Sequence, residues 1–312
     1  MPVVNESLRF WDREVGSPTH SSWLSAPPVR LCVNSRLDPG RPCWPLDWLT
    51  TYLAGRRFRR ALSVGCGTGA LERDLVRRDL CAHVDAFDGS LASLAIARSE
   101  ARREGISDRV RYFAADFNRQ ALPPATYDLV LFHQSLHHVA RLERVLRDVA
   151  QALAPDGLLY LDEYVGPSRN AWSRRKLKSA EEAYRSLPRS VRVHDVIPFP
   201  IQADDPSEAV RSGQILPLLR IGFRVLARRG YGGNILSVVF PIVRWSEAEA
   251  GVIEELISAE ERLLEGGASS YYTVLVARPR RGPAGRAARL AWTLLEAGTL
   301  LGRRIRRAAA RR

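Results

Sequence analysis

A glycine-rich turn provides the first group of residues suited to binding a ligand. Gly65, Cys66, Gly67 and Gly69 follow the apolar run 61–64 and precede a run with helical periodicity. Glycines at this spacing let the backbone turn sharply and approach a ligand closely, and the helix that follows presents unpaired N–H groups. The pattern predicts a ligand-binding turn; a tight turn without a ligand is the simpler alternative.

Two acids follow the turn at regular intervals. Asp88 lies 19 residues beyond Gly69, at the end of the next apolar run. A carboxylate at that place can accept hydrogen bonds from both hydroxyls of a ribose, although Asp85 competes for the role. Asp116 and Phe117 end the third run, where a carboxylate can accept from an adenine amino group and a ring can stack on the base. Together the acids predict an adenosine site.

Histidines follow the fourth apolar run. Residues 127–132 lead into His133 and Gln134, and then into the pair His137 and His138. An imidazole titrates near neutral pH, so this pair is the candidate for a general base. The alternative is that one or both rings only pack or form hydrogen bonds in the loop.

Glu163 and Tyr164 end the fifth apolar run and are the next candidates for contacting a substrate. A buried, hydrogen-bonded pair beneath the neighbouring segment is an equally good interpretation. The list of candidate catalytic residues is therefore His137, His138, Glu163 and Tyr164.

The elements that must position these residues alternate between strand and helix. Strands are predicted at 61–64, 83–87, 110–114, 127–132, 157–162, 223–228 and 271–277. Helices are predicted at 71–78, 90–104, 142–153 and 247–265. This alternation favours an α/β fold with a parallel sheet covered by helices on both faces.

Changes in composition divide the chain into three parts. Residues 1–50 are rich in Pro, Ser and Trp and predict an irregular or short-helical N-terminal lid. Residues 51–278 form the α/β domain, and the proline-rich segment 166–215 interrupts it as an insertion over the carboxyl edge of the sheet. Residues 279–312 form a basic tail.

The positive charge is concentrated in that tail. Of the net charge of +13, the segment 278–312 carries +10, from eleven arginines and one acid. The body of the protein therefore gives no electrostatic argument for a nucleic-acid partner, and none is expected. Residues 286–307 predict a basic amphipathic helix that either lies on an anionic membrane surface or is a solvated or partner-docking terminal helix.

The cysteines and the hydropathy pattern indicate a cytoplasmic protein, with peripheral membrane attachment through the tail as an open option. Cys32, Cys43, Cys66 and Cys81 form no CxxC pair, and no histidine stands at metal-ligand spacing, so neither a disulfide framework nor a metal site is expected. No apolar run reaches the length of a signal-peptide core or a spanning helix.

The glycine turn, the acid at 88, the acid–aromatic pair at 116–117 and the histidine loop, in this order and spacing, resemble the class I S-adenosylmethionine-dependent methyltransferases. The resemblance covers residues 60–162 well and the last two strands loosely. It implies a Rossmann-like sheet of seven strands with the last one antiparallel, and S-adenosylmethionine as the cofactor.

The resemblance also implies roles for particular residues. Gly65, Gly67 and Gly69 would hold the methionine part of the cofactor, Asp88 its ribose, and Asp116 and Phe117 its adenine. His133 and Gln134 would contact the cofactor beside the sulfonium, and Cys66 need not be reactive. The segments 162–168 and 205–212 are similar to bacterial methyltransferases that accompany surface-glycan glycosyltransferases.

The expected function is O-methylation of a small molecule or of a glycan or lipid-linked acceptor by in-line methyl transfer. One alternative is a nucleotide-dependent oxidoreductase, because residues 65–70 also satisfy GxGxxA. Another is a protein that binds S-adenosylmethionine without catalysis. A nucleic-acid methyltransferase is disfavoured, because the fourth strand is not followed by an Asn/Asp-Pro-Pro-aromatic motif. The sequence gives no prediction of oligomeric state.

Overall fold

The fold is built around one twisted sheet, seen here in a computed structural model that describes residues 10–13, 15, 23–244 and 250–309. Within these residues, seven strands pair in the order β3-β2-β1-β4-β5-β7-β6. The strands are β1 (Phe58–Val64), β2 (Cys81–Asp88), β3 (Val110–Ala114), β4 (Tyr127–His133), β5 (Leu153–Tyr164), β6 (Phe223–Gly232) and β7 (Tyr272–Pro279).

Helices cover both faces of the sheet and extend beyond its ends. They are α1 (Pro27–Leu37), α2 (Pro45–Leu53), α3 (Ala70–Arg77), α4 (Leu91–Arg103), α5 (Leu142–Ala152), α6 (Arg174–Ser186), α7 (Ile215–Gly222), α8 (Leu236–Val239), α9 (Ala250–Glu265) and α10 (Gly282–Ala309). Apolar side chains of the sheet pack into two clusters, and helices cover each of them. The predicted α/β fold class is confirmed.

The strand directions agree with the predicted topology. Strands β1 to β5 run parallel, whereas β7 is antiparallel to both of its neighbours, β5 and β6. Because the carboxyl ends of the parallel strands lie at one edge of the sheet, the loops after β1, β2, β3 and β4 are brought together there.

The fifth strand starts earlier than predicted. We predicted that it begins at residue 157, but β5 already begins at Leu153. The pairing of β4 with β5 shifts register between Tyr127 and Leu129, and Pro155 and Asp156 project into solvent. The extra residues are accommodated as a bulge, which is where a strand tolerates a proline.

The C-terminal helix α10 is docked on the domain. The Trp292 ring is fully buried against Phe223, and its Nε1 donates a hydrogen bond to the Leu218 carbonyl at 3.0 Å. Leu290, Leu294 and Leu301 lie on the opposite side and are 60–64% exposed. The side chains of 303–309, which include most of the predicted basic face, lie outside the described residues.

Helices also occupy much of the segment predicted as an N-terminal lid. Both α1 and α2 begin at prolines, which suit the first turn of a helix. The lid role itself stays a prediction. Of the described helices, none combines the length and the apolar character that crossing a bilayer requires.

Candidate active site

The three glycines of the turn after β1 have different surroundings. All three have positive φ, at 72°, 51° and 76° for Gly65, Gly67 and Gly69. A Cβ at Gly65 would lie 2.6 Å from the Ser135 Cβ, and one at Gly69 would lie 2.4 Å from the Tyr112 hydroxyl. A Cβ at Gly67 would meet no atom within 4 Å. The outer glycines therefore allow close packing, and the middle one faces open space.

Asp88 joins the end of β2 to this turn. Its Oδ2 accepts a hydrogen bond from the Gly67 N–H at 2.9 Å, and its Oδ1 accepts from the Ser90 N–H at 2.8 Å. Burial raises the pKa of Asp88, against the opposing effect of these N–H groups. The carboxylate is thus placed at the glycine turn, where the sequence analysis put it.

Asp85, the competing acid, belongs to a separate cluster. Its carboxylate pairs with Arg60 and Arg111 at 2.7 and 2.8 Å and accepts from the Tyr127 hydroxyl at 3.1 Å. Asp85 does not line the cavity described next. Its role is structural.

A cavity of about 890 Å³ lies at the carboxyl edge of the sheet. Among the predicted site residues, those that line it are Gly65, Cys66, Gly67, Asp88, Asp116, Phe117, His133, Gln134 and His138. Asp88 and Asp116 therefore face a common crevice beside Gly67. The predicted residues Gly69, His137, Glu163 and Tyr164 are not part of the lining.

Asp162 organises the part of the wall that follows β4. It accepts hydrogen bonds from the Tyr231 hydroxyl at 2.6 Å and from Gln134 Nε2 at 3.3 Å, and it pairs with His133 Nδ1 at 3.0 Å. Burial lowers the pKa of His133, but the hydrogen bond and charge of Asp162 outweigh it and the pKa is raised. Both Asp162 and Tyr231 line the cavity, and the sequence analysis missed them.

Glu163 and Tyr164 hold the loop from beneath and do not face the cavity. Glu163 Oε2 accepts from the N–H groups of Ser135 and Leu136 at 3.0 and 2.6 Å, and its Oε1 contacts His137 Nδ1. The Tyr164 hydroxyl donates to the Pro167 carbonyl at 3.0 Å. Both side chains are buried and hydrogen-bonded, as the alternative interpretation of this pair describes.

The two neighbouring histidines have different environments. His137 lies between the carboxylates of Glu163 and Glu208, with Nε2 at 3.5 Å from Glu208 Oε2. Burial lowers the pKa of His137, but these two charges outweigh it and hold the pKa well above its ordinary value. Burial and the charge of His137 lower the pKa of His138 to about 4. Burial opposes the shift at Glu208, yet the histidines lower its pKa to about 2.

The insertion supplies the other side of this cluster. His138 Nδ1 lies 3.1 Å from Ser207 Oγ, and Trp11 Nε1 donates to Asp205 Oδ2 at 3.1 Å. The sequence analysis singled out 205–212 only for a family similarity. The insertion was predicted to lie over the carboxyl edge of the sheet. That prediction was the signal that could have indicated a contact between Glu208 and the histidines.

Glu72 is a further residue that sequence reasoning missed. It lies on α3, is fully buried and lines the cavity beside the glycine turn. Neither of its carboxylate oxygens makes a well-formed hydrogen bond among the described residues, and the nearby Ser63 hydroxyl opposes the effect of burial on its pKa. Burial raises its pKa. A buried, unpartnered carboxylate aimed into a cavity is suited to a cationic ligand group.

Comparison with known proteins agrees with this geometry. Residues 62–161 match the family described as a methyltransferase domain. The ubiquinone biosynthesis O-methyltransferase of Aeromonas salmonicida is 32% identical over 116 residues, which are 37% of this chain and 48% of that protein. The protein of the same name from Rhizobium johnstonii is 28% identical over 217 residues, covering 67% and 76% of the two chains.

One solved structure with a similar outline is geranyl diphosphate methyltransferase in complex with S-adenosylmethionine. It has a TM-score of 0.49 and 16% identity, and the match covers 75% of this chain and 84% of that one.

The sheet with its glycine turn and strand-end acids is thus an α/β methyltransferase domain. Residues 62–161 carry a methyltransferase domain that resembles the class I S-adenosylmethionine-dependent methyltransferases, and S-adenosylmethionine is its cofactor. The open face of Gly67 and the unpartnered carboxylate of Glu72 fit a ligand that carries positive charge.

Proposed function

We propose that this protein transfers a methyl group from S-adenosylmethionine to a hydroxyl oxygen of a small-molecule or lipid-linked acceptor. The observation that carries the proposal is a single cavity that joins the glycine turn and its two acids to the wall formed by His138 and Ser207. Its volume of about 890 Å³ lies near the upper end of the range for small-molecule pockets, which suits two ligands side by side.

The cofactor end of the cavity is defined by charge and shape. Asp88 would hold the ribose hydroxyls, and Asp116 with Phe117 would bracket the adenine. Glu72 lines the cavity beside the glycine turn and would accept hydrogen bonds from the ammonium group of the cofactor. When bound, S-adenosylmethionine supplies an electrophilic methyl group on a sulfonium centre.

The acceptor end is formed by the histidine loop and the insertion. Transfer to an oxygen is an in-line displacement, so much of the acceleration comes from holding that oxygen against the methyl carbon. His138 and Ser207 belong to the wall, and Glu163 fixes the loop that carries His138. Residues that keep this loop rigid therefore act on the reaction by positioning.

The acceptor class rests on two lines of support. The curated relatives carry names that specify O-methylation, which favours a hydroxyl acceptor. The similarity of 162–168 and 205–212 to methyltransferases of glycan pathways favours a glycan acceptor as the second choice.

Attachment to a membrane surface is part of the same proposal. The exposed leucines of α10 face away from the domain, and arginines follow them in the sequence. An apolar stripe beside cations is the composition of helices that lie on anionic bilayers.

The test is transfer of labelled methyl groups from S-adenosylmethionine to three kinds of acceptor: soluble phenols and catechols, a lipid extract and a glycan extract. We expect alkali-stable label, as ether linkages give, in the phenol or lipid fraction. Label that appears only in amine or nucleic-acid fractions, or tighter binding of NAD than of S-adenosylhomocysteine, would contradict the proposal.

A further inference from the structure

Three potential ligand atoms converge where the histidine loop meets the insertion. One nitrogen from each of His137 and His138 and one carboxylate oxygen of Glu208 all lie within 4.8 Å of one another. The two Nε2 atoms are 3.5 and 3.7 Å from Glu208 Oε2. Ligands of a tetrahedral zinc ion, with bonds of about 2.0–2.1 Å, are separated by about 3.3 Å. The cluster is therefore close to the size of a metal site.

The hydrogen bonds of His137 leave its Nε2 available. Its Nδ1 contacts Glu163 Oε1, and an ionised carboxylate can only accept. The ring proton therefore sits on Nδ1 in the neutral imidazole. The lone pair of Nε2 then points toward Glu208.

The same conclusion holds for His138, by a different route. The Ser207 hydroxyl donates its single proton to Asp205 Oδ1 at 2.7 Å. It must therefore accept from His138 Nδ1, which lies 3.1 Å away. The lone pair of the second Nε2 also points toward Glu208.

Two imidazole lone pairs and a carboxylate thus face one point, an arrangement that can bind a cation, either a metal ion or a proton. Each ring also has a carboxylate behind it, Glu163 directly and Asp205 through Ser207, which is the usual arrangement around metal-bound histidines. The histidines are buried, whereas the Glu208 side chain is 29% exposed and His138 reaches the cavity. Three protein ligands with one open side are typical of a catalytic site.

We propose that His137, His138 and Glu208 bind one divalent transition-metal ion, whose open coordination position faces the acceptor end of the cavity. Two imidazoles and one carboxylate favour Zn²⁺, Mn²⁺ or Co²⁺ over Mg²⁺ and Ca²⁺, which prefer oxygen ligands. An acceptor hydroxyl bound to such an ion loses its proton more readily. Only this last point rests on the proposed function; metal binding does not.

The experiment uses the full chain without an affinity tag, freed of metal by chelation. Titration calorimetry with Zn²⁺ and visible absorption with Co²⁺ should each show one site per chain, with a cobalt spectrum free of thiolate charge transfer. We expect Glu208→Gln and His138→Gln to weaken Zn²⁺ binding more than 100-fold. Asp205→Asn, behind the ring, should weaken it about 10- to 100-fold. His194→Gln, at an exposed histidine, should bind as wild type does.

Two results would overturn the proposal: a wild-type chain that takes up neither ion, or a Glu208→Gln variant that binds Zn²⁺ as tightly as wild type. In either case a proton, and not a metal ion, compensates the negative charge of Glu208 between the two histidines. Unchanged binding of S-adenosylhomocysteine shows that a variant is folded. Stoichiometric metal without methyl transfer to any acceptor would leave the metal site standing and refute the proposed reaction.

Discussion

Glu72 has an energetic cost in the unliganded protein. It lies fully buried, and its carboxylate makes no well-formed hydrogen bond among the described residues. An unsatisfied buried polar group costs about 1–3 kcal/mol, and a charged one costs more. Such a group persists where a ligand compensates it, and the cofactor carries two positive centres.

We predict that Glu72→Gln stabilises the unliganded protein by about 1–3 kcal/mol at pH 7 and weakens binding of S-adenosylhomocysteine. Binding of methylthioadenosine, which lacks the amino-acid group, should change little. Denaturant unfolding and titration calorimetry measure the two effects. Equal weakening for both ligands would show that Glu72 does not face the ammonium.

The stabilising effect of Glu72→Gln on the unliganded protein should depend on pH. Burial raises the pKa of Glu72 above its ordinary value of 4.5, so the folded state holds the proton more tightly than the unfolded chain does. Wild-type stability relative to Glu72→Gln is therefore unaffected below pH 4.5 and falls as the pH rises from there toward the raised pKa. Unfolding at a series of pH values should show the gap between the two proteins widening in that direction.

Asp88 and Asp85 provide a matched pair on the same strand. We predict that Asp88→Asn weakens S-adenosylhomocysteine binding about 10- to 100-fold, the value of a hydrogen bond to a charged group. Asp85→Asn should lower stability, because it leaves Arg60 and Arg111 without their partner, but should keep the affinity of the folded protein. A larger loss of affinity for Asp85→Asn would reverse the assignment.

At the scale of elements, the glycine turn separates packing from binding. We predict that Gly67→Ala folds, at a cost of about 1–2 kcal/mol for the positive φ, but loses cofactor binding. Gly65→Ala should be more destabilising, because its Cβ would overlap Ser135. Thermal unfolding and calorimetry distinguish the two variants. Wild-type affinity in Gly67→Ala would mean that the cofactor does not approach this glycine.

The strands and helices of the domain could be predicted because each is set by local periodicity. The predicted strand 110–114 agrees with β3, and the predicted helix 142–153 differs from α5 by one residue. The bulge in β5 was missed because Pro155-Asp156-Gly157 has the composition of a turn, and only pairing with β4 shows that the strand continues through it. The positions of the glycine turn and of Asp88 and Asp116 could be predicted because they follow directly from the ends of these strands.

The acceptor side was less predictable because its residues are far apart in the sequence. Glu208 contacts His138 across 70 residues, and Tyr231 contacts Asp162 across 69. No periodicity links such positions, since the path of the insertion is decided by packing. Glu163 and Tyr164 have the residue types of catalytic groups, and only the structure reveals that their polar atoms are engaged in hydrogen bonds within the protein.

For the whole molecule, α10 is part of the fold and not a detachable tail. We predict that Trp292→Ala destabilises the protein by about 3–5 kcal/mol, because a fully buried ring is removed. Ending the chain after Gly302 removes six of the arginines and should leave stability nearly unchanged. Unfolding of both variants tests this. Equal stability of Trp292→Ala and wild type would mean that the helix is not docked in solution.

Membrane attachment is a property of the outer side of the same helix. We predict that Leu290→Glu with Leu294→Glu reduces binding to vesicles containing anionic lipid about 10-fold or more, since it removes two exposed apolar side chains. Leu91→Glu is the control, because Leu91 is 62% exposed on another helix. Vesicle co-sedimentation measures the effect. An equal loss of vesicle binding in the double variant and in Leu91→Glu would mean that the added negative charge alone causes the effect.

The short N-terminal stretch 10–13 connects two sides of the cavity, which Trp11 lines. Asp12 accepts hydrogen bonds from the Ser90 hydroxyl and the Ala92 N–H at 2.7 and 3.2 Å, and the neighbouring Trp11 donates to Asp205. One end of this bridge is beside Asp88, and the other is on the insertion. We expect a product the size of S-adenosylhomocysteine to leave only after these hydrogen bonds break. We therefore predict that release of product, and not the displacement at carbon, limits turnover.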